Sequence, residues 1–286
     1  MTNCIEIHGL RKSYGSFALN DIHLTLPGGA IMGLIGENGA GKTTTIKCML
    51  GLIRRDGGEI ALLGRDILTQ DREAKRDIGV VLDECFFHDS LRPRDIGSIL
   101  APFFPTWDDG LYRSYLDKFS LPAGQPVKEF SRGMKMKLSL AAALAHRPKL
   151  LILDEATAGL DPVVRDEILE EFLAFVCDED HGILLSSHIT GDLEKVADYI
   201  TYLHQGEVVL SGAKDDILER YGRVGCTAGQ LAALPREELV RVRRGQFGCE
   251  ALVADRAAFR RRHPELPVDR VTLDDIMVFV GRGEPA

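Results

Sequence analysis

The sequence predicts an α/β fold, a mostly parallel sheet with helices on its faces, and three observations predict it. Short apolar runs alternate with amphipathic stretches from about Leu34 to Leu210, the rhythm of strand–helix units. The first core run, Ala30-Ile31-Met32-Gly33-Leu34-Ile35, leads straight into Gly36-Glu37-Asn38-Gly39-Ala40-Gly41-Lys42-Thr43-Thr44 and a helix-like run to Leu50. A later run, Leu150–Leu153, ends in two carboxylates, Asp154 and Glu155.

Taken in order, Cys4–Leu10 and Ile22–Leu26 alternate like half-buried antiparallel strands, a small β layer ahead of the core. The predicted core strands are Ile31–Ile35, Val80–Leu82, Leu150–Leu153, Gly182–Ser186 and Ile200–His204. Residues from about Phe86 to Phe130 have another texture. There Pro93, Pro102, Pro105, Pro122 and Pro126 punctuate helical segments such as Leu111–Phe119, which reads as a helical insertion at 86–130. The helix Lys135–Ala145 follows. Past Gly212 the composition shifts: residues 212–286 hold 12 Arg and 1 Lys against 12 acidic residues, net +1, which leaves −9 on residues 1–211. The strand-like Val240–Arg243 and Glu250–Val253, the helix-like Asp255–Arg262 and the closing Val271–Val280 make 212–286 a small α+β appendage to a main domain at 1–211. Such an appendage either caps the core or holds two subunits together at their tails.

The chain has 286 residues, enough to bury a full core, and 45% hydrophobic with 27% charged residues is ordinary globular composition. Its net charge of −8 disfavours nucleic acid as a partner. The six cysteines (Cys4, Cys48, Cys85, Cys177, Cys226 and Cys249) have no metal-ligand spacing and read as reduced thiols. No export signal opens the sequence and no apolar run is long enough to span a bilayer, so a cytosolic chain is expected.

Gly36 to Thr43 fits GxxxxGK[ST] in its required context of strand, glycine loop and helix. Glycines let the backbone turn with its N–H groups inward, and the helix that starts there adds the positive end of its dipole, so the loop cradles phosphate oxygens. A nucleoside triphosphate is the expected ligand. Lys42 would reach its β and γ phosphates and the Thr43 hydroxyl would ligate magnesium. That motif alone leaves kinases, GTPases, helicases and transport ATPases open. Asp154 at a strand end suits the magnesium shell and Glu155 the attacking water. Phe130-Ser131-Arg132-Gly133-Met134 opens a helix where Ser131 and Gly133 could bind a phosphate by the same dipole logic. One γ phosphate is not gripped by two such loops of one fold, which points to a second subunit completing the site.

The order Tyr14, GENGAGKTT, FSRGMKMKLSLAAALAHRPKLLILDEATAGLD and SSHI resembles the ATP-binding subunits of ABC transporters, from about Cys4 to Gly212. The helical region and short tail are most similar to exporter-type ATPases that work with a separately encoded permease, in multidrug, bacteriocin and antibiotic-response systems. The resemblance implies a P-loop NTPase core of the ABC type that binds ATP and Mg2+ and dimerises around two ATP molecules, as homodimer or heterodimer. It implies a peripheral place on the cytoplasmic face of the membrane. It also implies roles: Tyr14 stacks on adenine, Gly36, Glu37, Asn38, Gly39, Ala40, Gly41, Lys42, Thr43 and Thr44 hold phosphate, Ser131 and Gly133 contact the partner's ATP, Asp161 crosses the dimer seam, and His188 contacts the γ phosphate. Two departures stand out. Asp83, followed by Glu84, occupies the place of the family's usual Gln, and a carboxylate can ligate magnesium but lacks the amide donor. Arg132 and Met134 replace the usual Gly and Gln of the signature. With no span of its own the chain must dock on its partner, and the region Phe86–Trp107 is the expected surface, its aromatics Phe86, Phe87, Phe103, Phe104 and Trp107 reading equally as docking residues or as core. Two other readings stand beside transport: a sensing or immunity module without net transport, and a soluble ABC ATPase acting on ribosomes or DNA.

Overall fold

The computed structural model describes residues 3–245 and 248–285. The chain opens with the hairpin β1 (Asn3–Tyr14) and β2 (Phe17–Pro27), where Tyr14 pairs with Phe17 across a two-residue turn that places Gly15 at φ 47°. Side chains of a strand alternate between faces, so Ile5, Ile7, Ile22, Leu24 and Leu26 share one buried face. After β3 (Ala30–Ile35) and α1 (Lys42–Met49), the short strands β4 (Gly57–Leu62) and β5 (Arg65–Asp66) complete an antiparallel sheet in the order β2-β1-β4-β5.

Next come α2 (Asp71–Arg76), β6 (Ile78–Val81), α3 (Pro93–Leu100), α4 (Asp109–Lys118), α5 (Arg132–Leu144), β7 (Leu150–Asp154), α6 (Pro162–Phe175), β8 (Gly182–Ser187), α7 (Thr190–Val196), β9 (Tyr199–His204) and β10 (Glu207–Ala213). The second sheet has the order β10-β9-β3-β8-β7-β6, parallel throughout except for β10. The strand expected at Val80–Leu82 starts earlier and stops at Val81, because its ladder to β7 runs from Ile78–Leu150 to Val81–Leu153. Leu82 therefore leads out of the sheet towards Asp83.

β3, β7 and β8 are buried along their whole length, as parallel strands covered on both faces must be. Their alternation sorts the core into two halves. Met32, Leu34, Leu150, Ile152 and Leu184 face the antiparallel layer and α1, whereas Ile31, Ile35, Leu151, Leu153, Ile183 and Leu185 face a cluster built with α5, α6 and α7. A one-residue slip in any of these strands would exchange the two sets.

The remaining chain forms α8 (Lys214–Arg220), β11 (Gly222–Cys226), α9 (Ala228–Ala233), β12 (Leu239–Gly245), β13 (Gly248–Val253), α10 (Arg256–Arg262), β14 (Val268–Arg270), α11 (Leu273–Arg282) and β15 (Glu284–Pro285). Its five strands form a third sheet in the order β14-β11-β13-β12-β15. Ala251 and Val253 of β13 pack with Phe259 of α10 in a small cluster, while Leu252 between them faces the main core. α11 is started by a capping box, Thr272 accepting from the Asp275 N–H at 3.1 Å and Asp275 accepting from the Thr272 N–H at 3.0 Å. Its Leu273, Ile276, Phe279 and Val280 recur at helical spacing and join the main core. The apolar face of α11 is thus covered by its own chain.

Candidate functional site

The loop between β3 and α1 is seated by close backbone approach. Gly36, at φ 157°, lies where a Cβ would meet the Leu203 carbonyl oxygen at 2.4 Å. Gly206, at φ 81°, has the Ala18 carbonyl oxygen at 1.8 Å from its would-be Cβ, and its N–H donates to the Ala40 carbonyl at 3.0 Å. Only glycine allows either contact. Gly41 then opens α1 at φ 113°.

A cavity of about 350 Å³ lies at this loop, lined by Glu37, Asn38, Gly39, Gly41, Lys42, Thr43 and Thr44 together with Phe17, Asp83 and Glu155. Lys42 is buried, 6% exposed; its Nζ donates to the Gly36 carbonyl at 2.7 Å and lies 3.5 Å from Glu155 Oε1. The ammonium is held at the cavity wall by two loop carbonyls, of Gly36 and of Glu37 at 3.4 Å, and a single carboxylate.

Asp154 ends β7 and is 2% exposed, so its carboxylate needs donors. Thr43 Oγ1 donates to Asp154 Oδ2 at 2.9 Å, and Ser186 of the neighbouring β8 donates to Oδ1. Glu155, one residue on, takes a left-handed backbone with φ 52°, a conformation that costs a non-glycine residue on the order of 1 kcal/mol. Its N–H is held by the Ser186 carbonyl and hydroxyl, both at 3.1 Å. The turn aims Glu155 at the loop instead of along the strand. His188, just past β8, places Nδ1 2.6 Å from Glu155 Oε2. Loop, β7 and the end of β8 therefore meet in one Lys42–Glu155–His188 chain of contacts.

Asp83, two residues past β6, reaches the same cavity as Thr43 and Glu155. Hydroxyl and carboxylate oxygens of Thr43, Asp154 and Asp83 are hard donors suited to magnesium, which prefers one or two protein ligands and takes the rest from phosphate and water. The neutral hydroxyl beside a buried carboxylate fits that ion.

Ser131, Gly133 and Asp161 do not line this cavity. Ser131 caps α5 by accepting from the Met134 N–H at 3.2 Å, and Asp161 caps α6 by accepting from the Val163 and Val164 N–H groups, each at 3.1 Å. Arg132 lies over Gly159, whose would-be Cβ would meet its guanidinium at 2.8 Å, so the start of α5 touches the loop before α6. Tyr14 is half exposed at the β1–β2 turn with the Lys12 ammonium 5.0 Å from its ring; Phe17, its partner across the turn, lines the cavity instead.

Sequence reasoning missed three contributors. Phe17 was signalled only by being a second aromatic near Tyr14, and Ser186 only by polarity inside an apolar strand. The third is the closing helix: Gly281 of α11 sits where a Cβ would lie 3.1 Å from Glu37 Oε2. His204 Nδ1 is 2.8 Å from the other Glu37 oxygen, an ion-pair approach outside hydrogen-bond alignment. Beside them burial, with Glu37 adding to it, pushes the Tyr202 hydroxyl up to about 12.

A second, apolar cavity of about 460 Å³ opens beside the edge strand β6 and α5, lined by residues including Val80, Leu82, Phe86, Phe87, Phe104 and His146. His146 stacks on Phe104 with centroids 4.1 Å apart, and burial lowers its pKa from the ordinary histidine value. Phe86 and Phe103 are 72% and 73% exposed, whereas Phe87 and Trp107 pack partly against the core. Among the described residues no helix is long and apolar enough to cross a membrane.

The family model for ABC transporters matches residues 19–158. The lantibiotic transport ATP-binding protein SrtF of Streptococcus pyogenes is 36% identical over 74% of this chain and 91% of its own length. The bacitracin transport ATP-binding protein BcrA of Bacillus licheniformis is 34% identical over 73% of this chain and 69% of its own, and that of Enterococcus faecalis 35% over 82% and 78%. Among solved structures, an ATP-binding subunit of an ABC transporter is superimposed with TM-score 0.69 at 29% identity, covering 75% of this chain and 91% of that one.

Proposed function

Because the chain belongs to the ATP-binding subunits of ABC transporters, enzymes that hydrolyse ATP, we propose that it drives a separate membrane permease for export, pairing with a second ATPase subunit around two ATP molecules. The lantibiotic and bacitracin named for the relatives support a cargo of the antibiotic class. The observation that carries the reading is the contact of Glu155 with both Lys42 and His188 at the rim of the glycine-loop cavity.

In this reading Lys42 meets the β and γ phosphates, and the loop N–H groups from Gly36 to Thr44 surround them. Glu155 polarises the attacking water and His188, already hydrogen-bonded to it, holds its carboxylate in place and reaches the γ phosphate. Thr43, Asp154 and Asp83 would hold magnesium, which would supply charge neutralisation at the phosphates. Phe17, or Tyr14 once the β1–β2 turn adjusts, supplies the aromatic face for adenine. Ser131, Gly133 and Asp161 lie away from the cavity, as residues meant for the other subunit's ATP would. Ser131 and Asp161 are exposed and Gly133 half-buried at the starts of α5 and α6, which supports that role. The permease docks on the apolar cavity beside β6, whose strand leads directly into Asp83, so that nucleotide state is felt at the membrane partner. The chain acts as a peripheral subunit at the cytoplasmic face of the membrane, with 1–211 as its ATPase domain, 86–130 as a helical insertion and 212–286 as an accessory unit.

Glu155→Gln tests this. Loss of the general base should lower hydrolysis by roughly 100-fold or more while leaving the phosphate grip intact, so that an ATP-bound dimer accumulates on size-exclusion chromatography. A Glu155→Gln protein that turns over ATP at the parent rate would sink the assignment.

A further inference from the structure

Two of the six free cysteines face each other. Cys226 ends β11 and Cys249 lies in β13, and the antiparallel register pairs them directly. Opposed residues of an antiparallel pair point to the same face with Cα atoms roughly 4.5–5.5 Å apart, inside the roughly 4.4–6.8 Å that a disulfide spans. Both side chains do share a face: Cys249 is buried in the small cluster around Phe259, and Cys226 packs on that cluster from the rim. Cys4, Cys48, Cys85 and Cys177 lie in β1, in α1, after β6 and after α6, apart from this pair.

Access is built in. Both cysteines line a cavity of about 610 Å³ whose wall includes Gly225, Gly245 and Gly248. Cys226 is partly exposed and Cys249 is 6% exposed, which orders them as the first and second thiol to react. Burial, and Cys249 itself, push the Cys226 thiol up from its ordinary value, so Cys226 rests as the thiol and reacts through its minor thiolate form.

We propose that Cys226 and Cys249 form a dithiol that exchanges with low-molecular-weight disulfides of the glutathione class and closes to a reversible cross-strand disulfide. The Cys226 thiolate attacks one sulfur of the small disulfide; a Cys226–S–S–R bond forms, the R–S–S–R bond breaks, and the leaving thiolate takes up the proton that Cys226 lost. The Cys249 thiolate then attacks the Cys226 sulfur, releasing a second small thiol, which takes up the Cys249 proton. In sum the protein loses two electrons and two protons, and one small disulfide is reduced to two thiols. Ladder geometry holds the two Cβ atoms about 4.5–5.5 Å apart, wider than the roughly 3.8 Å mean of a relaxed disulfide, so the strands must draw together and the bond is readily reduced again.

The experiment uses the full chain incubated with excess oxidised glutathione, quenched with N-ethylmaleimide and digested for mass spectrometry. The expected product is a Cys226–Cys249 crosslink, lost on adding a reducing thiol. In Cys249→Ser the glutathione adduct should accumulate on Cys226, where in the parent it stays below about a tenth of chains because the second thiol resolves it. Cys226→Ser should leave Cys249 unmodified, since burial keeps the small disulfide from reaching its thiol. The proposal is overturned if Cys226 and Cys249 both recover as maleimide adducts after an incubation that oxidises the urea-unfolded chain. It is equally overturned if Cys249→Ser and parent carry the same adduct level, or if the crosslinks found join Cys226 to another cysteine.

Discussion

Replacing Phe279 by alanine removes a ring that is 1% exposed on the helix closing the chain, within the core cluster that also holds Leu185 and Ile200 of the central sheet. The chain segment after Gly212 would, as a mere appendage, tolerate that change in the ATPase unit. The packing says otherwise. Truncating a buried Phe to Ala costs about 3–5 kcal/mol, and the Arg243 guanidinium 5.8 Å from the ring centroid adds about 0.5–1 kcal/mol of cation–π attraction. At roughly 2–4 °C per kcal/mol for a domain of this order of size, the melting temperature should fall by roughly 7–24 °C. Scanning calorimetry of the full chain measures it, and repeating the scan across a wide range of protein concentration separates core packing from subunit contact. A core loss shifts the melting temperature equally at every dilution, whereas a loss confined to a tail–tail contact shifts it only where the parent is dimeric. A Phe279→Ala protein that melts within about 2 °C of the parent when monomeric would refute the reasoning.

Other changes probe the site and its surroundings. Asp83→Asn should raise the magnesium concentration needed for half-maximal hydrolysis by about threefold or more, with a smaller effect on metal-free ATP binding, because it removes a charge from a hard-cation site while keeping one oxygen; superimposable magnesium titrations would show that Asp83 takes no part. Phe86→Ser alters a side chain 72% exposed, so stability should move by less than about 0.5 kcal/mol while co-purification with the permease drops at least about tenfold; undiminished permease binding would move the docking surface elsewhere. Ser186→Ala should lower hydrolysis and destabilise by about 1–3 kcal/mol, because it leaves a buried Asp154 oxygen without its donor and frees one hold on the Glu155 N–H; parent-like melting and turnover would show that Thr43 alone is sufficient.

The α/β class, the phosphate loop and the two carboxylates at the end of β7 were legible in the residue order because each depends on local rules. The short apolar runs Ile31–Ile35 and Leu150–Leu153 have the length and punctuation of strands buried on both faces, and Gly36, Gly41 and Lys42 are fixed relative to one another by a short turn. Even there the edge was misplaced: β6 begins at Ile78 because its ladder partner β7 begins at Leu150, and register is a property of two strands. Tertiary structure alone decided the rest. It selected Ser186 to hold both Asp154 and Glu155, put Phe17 beside the loop, and carried Phe279 and Gly281 from the end of the chain to the core and to Glu37. The small sheet that pairs Cys226 with Cys249 is of the same kind. Residues that meet across dozens of positions leave no periodicity in a single sequence, since what unites them is burial of a shared surface and the satisfaction of buried polar atoms.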